Sequence, residues 1–207
     1  MADIRVKQRI QSGQGPYIPA NGNDFGEQFV TGGLPPYTEW TRKGMGPWSA
    51  MSSTAYAALV ARPTTTAGVE IRNNSSNGTC LIIDRIFCEW RLATAVASSA
   101  VMYAMVGPQA AITAGSFPIY SGSGKAYGGQ VTVAINQTVT DLGWFPWGNS
   151  ITAALAAATP NGGQDSRVEG RIIVQPGHAL CLHVVASVTG DTFVQGASWF
   201  EAVLDME

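Results

Sequence analysis

The stretch Thr79–Leu92, which reads TCLIIDRIFCEWRL, is the part of this sequence that most directly predicts the fold class. It is rich in β-branched and aromatic residues, which favour strands. Ile86, Cys88 and Trp90 share one parity, so an extended chain would place them on the same face. The alternation breaks at residues 81–83, where the apolar residues are consecutive. This break predicts either a β-bulge or a segment of a long strand that is buried on both faces.

Further strand candidates flank this stretch, separated by Gly, Pro and Asn clusters that are typical of turns. They cover residues 69–72, 101–106, 130–139, 168–174, 179–188 and 192–204. Residues 151–158 (ITAALAAA) favour a helix and are equally consistent with a neutral loop. A series of short strands without a helical crossover predicts an all-β fold. We expect a jelly-roll-like antiparallel β-sandwich over residues 64–207.

Residues 1–63 are different, because Gly-Pro, Ile-Pro and Pro-Pro pairs interrupt any long helix or strand. Aromatic residues are nevertheless frequent there, unlike in a disordered linker. We therefore predict an extended, mostly irregular N-terminal arm whose rings lie on its own body or on a neighbouring subunit. The candidate subunit or capsid interface residues are Tyr17, Phe25, Phe29, Tyr37, Trp40 and Trp48. A short helix over residues 48–61 is a further expectation, with a serine as its cap and Pro63 beyond its end.

Charge is distributed unevenly along the chain. Between Arg91 and Asp165 the only charged side chains are Lys125 and Asp141, whereas soluble domains carry a charge at about one position in four. Residues 92–164 are mostly Ala, Gly, Ser, Thr and Val. One interpretation is a β-rich domain with Ser- and Thr-rich faces. The interpretation we favour is surface that neighbouring subunits cover, because the centres of interfaces are depleted of charge.

Composition also argues against several classes of partner. The formal net charge is −2, whereas a nucleic acid partner needs a basic surface. No apolar run approaches the roughly 18 residues of a membrane span, and no apolar run follows the basic N-terminal residues as in a secretory signal. Cys80, Cys88 and Cys181 lack zinc-type spacing, so we expect small buried thiols and predict no metal and no cofactor.

Candidate catalytic and ligand-binding residues are few. Cys181 and His183 share a parity, but neighbours on one strand face reach each other only loosely, so we predict no catalytic pair and no enzymatic activity. Residues 144–148 (WFPWG) form an aromatic loop in which Trp144 and Trp147 are candidates for stacking on a sugar. The alternative, which we favour, is that these two rings fill a core or an interface.

The C-terminal region carries a resemblance to a known class of protein. Residues 170–180 (GRIIVQPGHAL) combine a strand, a Pro-Gly turn and a second strand, and the segments 189–192 (TGDT) and 197–201 (ASWFE) follow. This pattern resembles the C-terminal strands of jelly-roll virion structural proteins of tailed bacteriophages, of the capsid cement or decoration type. The resemblance implies a homo-oligomer, a trimer on a capsid lattice. It also implies arms that reach neighbouring subunits, the major capsid protein or another virion protein.

The function expected from these observations is that of a structural virion protein. It would bind the capsid surface and stabilise the shell by adding buried area across capsomer junctions. It would be located in the virion, which is assembled in the host cytoplasm. The alternative is a carbohydrate- or receptor-binding β-sandwich of a phage tail or fibre, with Trp144 and Trp147 in its ligand loop. An enzyme with a cupin-like body is disfavoured, because His and Glu residues do not cluster in the sequence.

Overall fold

The structure is a computed structural model that describes residues 5–6, 18–19, 38–94, 98–112, 117–153 and 162–204. The chain divides into two compact units, Met1–Pro36 and Tyr37–Glu207. In the first unit, β1 (Arg5–Val6) and β2 (Ile18–Pro19) pair as antiparallel strands. Several residues predicted to form interfaces lie outside the described residues, namely Tyr17, Phe25, Phe29 and Tyr37.

The second unit contains one short helix, α1 (Thr38–Lys43), within its described residues. The remaining elements are strands. They are β3 (Trp48–Met51), β4 (Tyr56–Ala57), β5 (Thr66–Asn73), β6 (Thr79–Leu92), β7 (Ser98–Pro108), β8 (Tyr120–Ser121), β9 (Val131–Thr138), β10 (Phe145–Ala153), β11 (Gly163–Arg167), β12 (Ile173–Val174), β13 (His178–Ala186) and β14 (Thr192–Val203).

These strands form two antiparallel sheets that pack face to face. The order in the first sheet is β10–β7–β13–β5–β9. The order in the second sheet is β11–β6–β14–β3–β8, with β12 paired to β6 and β4 paired to β14. Consecutive strands such as β5 and β6, or β13 and β14, lie in different sheets, so these connections cross from one layer to the other. The predicted all-β antiparallel sandwich is confirmed.

The stretch that indicated the fold class forms β6 over its whole length. β14 pairs with it from end to end, and the register shifts between the pairs Arg85–Ser198 and Ile83–Trp199. Asp84 is therefore the extra residue of a β-bulge, directly after the segment in which the alternation breaks. Its carbonyl oxygen accepts the backbone N–H of Val168 at 2.7 Å, which ties the bulge to the turn after β11.

The main core lies between the two sheets and contains the largest fully buried side chains. The first sheet contributes Ile71, Met102, Leu180 and Leu182, and the second contributes Ile83, Ile86, Trp90, Phe193 and Trp199. In β13, Leu180 and Leu182 alternate with Ala179 and Cys181, so the two pairs point to opposite faces of the sheet. A smaller cluster occupies that opposite face and consists of Ala67, Met105, Val139, Trp144, Ala179 and Cys181.

Two sequence predictions about local structure are wrong. The helix expected over residues 48–61 is replaced by β3 and β4, because backbone pairing with β14 outweighs local helix propensity. The strand expected over 168–174 begins only at Ile173, since Glu169 and Gly170 adopt φ values of 54° and 76° that end an extended chain. Residues 151–153 belong to β10, and residues 154–161 lie outside the described part of the chain.

Candidate functional site

The charge-poor segment, residues 92–164, supplies three of the edge strands of the sandwich. β10 and β9 are the two edges of the first sheet, and β8 is one edge of the second. An edge strand exposes unpaired backbone groups that another chain can use, and natural proteins usually protect such edges with charged side chains. The sequences of β8, β9 and β10 contain no charged side chain. β8 has only two residues, and β10 contains Pro146 and a register shift, which are other devices that protect an edge. The lack of charge is compatible with contact to another subunit, because the centres of interfaces are depleted of charge.

Exposed large apolar side chains accompany these edges. Tyr120 of β8 is 64% exposed, and Phe145, the first residue of β10, is 36% exposed. Leu142, in the connection between β9 and β10, is 47% exposed. Single exposed apolar residues are ordinary, so these side chains support an interface only together with the lack of charge on the nearby strand edges.

The two charges within this segment leave its surface nearly neutral. The guanidinium group of Arg62 donates two hydrogen bonds to the carboxylate of Asp141, at 3.0 and 3.1 Å. These bonds, with one from the backbone N–H of Gly143, hold the pKa of Asp141 below its usual value. Lys125 is exposed in the connection between β8 and β9. The carboxylate next to Leu142 is therefore ionised but paired with a cation.

Two predicted interface residues, Trp40 and Trp48, lie in different environments. Trp40 of α1 is 39% exposed and packs edge-to-face on Phe200, with ring centroids 5.7 Å apart. It lines an apolar groove of about 220 Å³ together with Ile82 and Phe200. Trp48 of β3 is buried in the main core of this chain, where its ring packs edge-to-face on Tyr127. Of the two, Trp40 is the residue that presents apolar surface.

The structure separates the two tryptophans of the predicted ligand loop. Trp144 is buried in the smaller cluster, and its indole N–H donates to the carbonyl oxygen of Thr64 at 3.0 Å. Trp147 is half-buried against the main core instead, with the guanidinium of Arg171 5.5 Å from its ring centroid. Cation–π contact of this kind occupies the face of the ring that a sugar would use. The two rings therefore do not form one stacking surface.

The three cysteines and His183 lie in buried environments that suppress their reactivity. Cys80, Cys88 and Cys181 are free thiols and are buried. Burial raises the pKa of Cys88 to about 11, and burial with the nearby carboxyl of Glu70 raises the pKa of Cys181 further. Burial lowers the pKa of His183, so that its imidazole stays neutral. A nucleophilic thiolate needs the opposite conditions, a nearby positive charge and a lowered pKa.

A polar cavity of about 200 Å³ lies beside the start of β6, the start of β9 and the end of β14. Among the described residues that line it, the charged one is Glu201, whose Oε1 accepts the hydroxyl of Tyr127 at 2.7 Å and the indole N–H of Trp199 at 3.2 Å. Asn77 and Gln130 contribute amide groups. The sequence indicates residues 73–78 as a turn cluster, but no local signal connects that turn to Tyr127 or Glu201, because β5, β9 and β14 bring them together only on folding.

Comparisons with known proteins identify no relative of this chain: no protein-family model, no curated protein and no solved structure matches it. Within the described ranges, no group of three or more His, Cys, Asp and Glu side chains is arranged to hold a metal ion. No helix among the described residues has the length and apolar character needed to cross a membrane.

Proposed function

We propose that this protein is a structural virion protein, a homo-oligomer that binds the surface of a capsid and stabilises the shell. The observation that supports this proposal best is the charge-poor segment, which provides three edge strands of a β-sandwich that carry no charged side chain. A cement or decoration protein needs broad surface of this kind, because a stable interface buries about 1,200–2,000 Å² in total. The resemblance of residues 170–201 to jelly-roll virion proteins supports a trimer as the oligomer.

The proposal assigns different surfaces to different contacts. The neutral edges with Tyr120, Leu142 and Phe145 are suited to pairing between identical subunits, where backbone hydrogen bonds supply much of the contact. The groove with Trp40 is mainly apolar. The carboxylates of Asp84 and Glu169 in its lining lie 3.6 and 3.9 Å from the guanidinium groups of Arg85 and Arg167, so the groove suits a mainly apolar partner surface. We assign this groove to the major capsid protein or another virion protein.

A charge-insertion experiment tests the subunit contact. Leu142→Lys and Phe145→Lys would each place an ammonium group in the proposed interface, where burying an unpaired charge costs several kcal/mol. Val203→Lys is the matched control, because Val203 is 70% exposed and lies outside the charge-poor segment. Sedimentation should show a trimer for the wild type and the control, and monomers for the two variants. A wild-type protein that remains monomeric, or variants that assemble equally well, would refute the subunit contact.

A separate experiment tests the capsid contact. Trp40→Ala should weaken co-sedimentation with capsid shells that lack this protein, because it removes the exposed ring of the groove, whereas oligomeric state should be unchanged. Leu59→Ala, which is half-buried in the structure and outside the groove, controls for general destabilisation. Equal binding of the Trp40 variant and the wild type would exclude the groove as the attachment site.

A further inference from the structure

We propose that the polar cavity beside Glu201 is a binding site for a neutral polyol of the size of one sugar ring. This inference does not depend on the proposed role in assembly, although residues 127–131 of the lining belong to the charge-poor segment. It rests on three features of the cavity: its size, its charge and the hydrogen-bonding groups that its walls leave unused.

The size of the cavity restricts the ligand. Its volume is about 200 Å³, which corresponds to the space of about seven water molecules at roughly 30 Å³ each. Pockets for drug-sized ligands begin at about 300 Å³. A single sugar ring or another compact polyol fits this range, whereas an oligosaccharide would have to extend out of the cavity.

Hydrogen bonds within the protein position two of the residues that form the walls of the cavity, Asn73 and Tyr127. Asn73 is buried, and its amide group donates to the carbonyl oxygens of Thr79 and Val174 at 2.8 and 3.0 Å. Its Oδ1 accepts the backbone N–H of Ser75, which fixes the turn after β5. The hydroxyl of Tyr127 accepts the backbone N–H of Val131 while it donates to Glu201. A site with fixed walls loses little conformational entropy when a ligand binds.

Other groups in the lining remain available for a ligand. Within the described part of the chain, the amide nitrogen of Asn77, the side chain of Gln130 and Oε2 of Glu201 make no hydrogen bond to protein groups. These groups offer donors and acceptors in the lining of one cavity. A hydroxyl group both donates and accepts, so a ligand with several adjacent hydroxyls can satisfy all of them.

Charge distinguishes a polyol from other small ligands. Among the described residues, Glu201 is the single charged residue in the lining, and no Lys or Arg belongs to it, so a phosphate or carboxylate would meet repulsion without a counter-charge from these residues. Calcium ions are held by six to eight oxygen ligands, usually with several carboxylates. One carboxylate among amides favours a neutral ligand whose hydroxyl donates a charge-assisted hydrogen bond to Glu201.

The direct experiment is a titration of the full chain that is monitored by ¹H–¹⁵N NMR. The ligands are D-glucose, D-galactose, D-mannose and N-acetyl-D-glucosamine. The indole N–H of Trp199 is a built-in reporter, because it donates to the same carboxylate that would bind the ligand. At least one sugar should shift this resonance and the amide resonances of Gly128 and Gly129 in a saturable way.

Three variants make the result specific. Glu201→Gln keeps an acceptor for Tyr127 and Trp199 but removes the charge, and it should weaken binding roughly tenfold, since charge-assisted hydrogen bonds are about twice as strong as neutral ones. Gln130→Ala removes an exposed amide without touching the fold and should also weaken binding. Glu89→Gln, at a carboxylate outside the cavity that pairs with Arg91, should bind like the wild type.

The same titration can overturn the proposal. An absence of saturable shifts with all four sugars would do so, and so would shifts that persist unchanged in Glu201→Gln and Gln130→Ala. A parallel titration with Ca²⁺ separates the remaining alternative. Shifts with Ca²⁺ but not with any sugar would identify a cation site and would also refute the polyol.

Discussion

Replacing Glu70 with Gln should make this protein more stable at neutral and alkaline pH. Glu70 of β5 is 2% exposed, and its Oε1 has no hydrogen-bond partner. The adjacent cation, Arg72, does not pair with it. Arg72 instead donates to the side chain of Asn74 and to the carbonyl oxygens of Gln109 and Gly177. A buried carboxylate without a partner is costly to the folded state.

The magnitude follows from the pKa of this group. Burial raises the pKa of Glu70 from 4.5 to about 7, although the positive charge of Arg72 opposes the rise. Because the folded-state pKa is the higher one, the contribution of Glu70 to the stability of the wild type is greatest below pH 4.5 and is lost as the pH rises to about 7. At about 1.4 kcal/mol for each pH unit between the two values, the loss amounts to about 3 kcal/mol.

The assay is urea unfolding at a series of pH values, for the wild type, Glu70→Gln and the control Glu89→Gln. His183 acts in the opposite direction, because its lowered pKa reduces stability as the pH falls below 6.5. Its contribution is the same in all three proteins, so the difference from the wild type isolates the carboxyl group. Glu70→Gln should gain up to about 3 kcal/mol between pH 4.5 and 8 relative to the wild type, and the control should gain nothing. A difference between wild type and Glu70→Gln that does not change with pH would refute the reasoning.

Three further predictions concern the body of the sandwich. Gly196→Ala should destabilise the fold by about 1–3 kcal/mol in urea unfolding, because the added methyl group would overlap the backbone oxygen of Ala50 and push β3 away from β14. An unchanged midpoint of the urea unfolding curve would contradict this packing. Asp191→Ala should lower the free energy of unfolding in urea by about 3 kcal/mol. The buried carboxylate accepts the backbone N–H and hydroxyl of Thr94 at 2.7 and 2.8 Å and the hydroxyl of Ser98, and these groups would lose their partner. Thr189→Ala, at a neighbouring exposed residue, serves as the control. The three thiols should react with Ellman's reagent only as fast as the protein unfolds, because all are buried and the pKa of Cys88 is raised to about 11. Rapid reaction of one thiol per chain in native buffer would contradict this prediction.

The sequence predicts the strands with the clearest local pattern. β6, β9, β13 and β14 lie within two residues of their expected bounds, because alternation of apolar and polar side chains directly reflects which face of a strand is buried. The bulge at Asp84 also has a local signal, the run of apolar residues just before it. Where pairing partners override local preference, as in residues 48–57, the sequence favours a helix and the structure contains β3 and β4.

The candidate sites divide in the same way. Composition alone reveals the lack of charge over residues 92–164, because charge is a property of the residue and not of its position in the fold. Only the sheet order shows that this segment supplies strand edges, and only tertiary packing buries Trp144 while it leaves Trp40 exposed. The cavity beside Glu201 has no sequence signature, since its walls come from segments far apart in the chain. The sequence by itself therefore determines the strands with a clear alternation and the lack of charge over residues 92–164. Contacts between distant segments decide which side chains meet, because they form only when the chain folds.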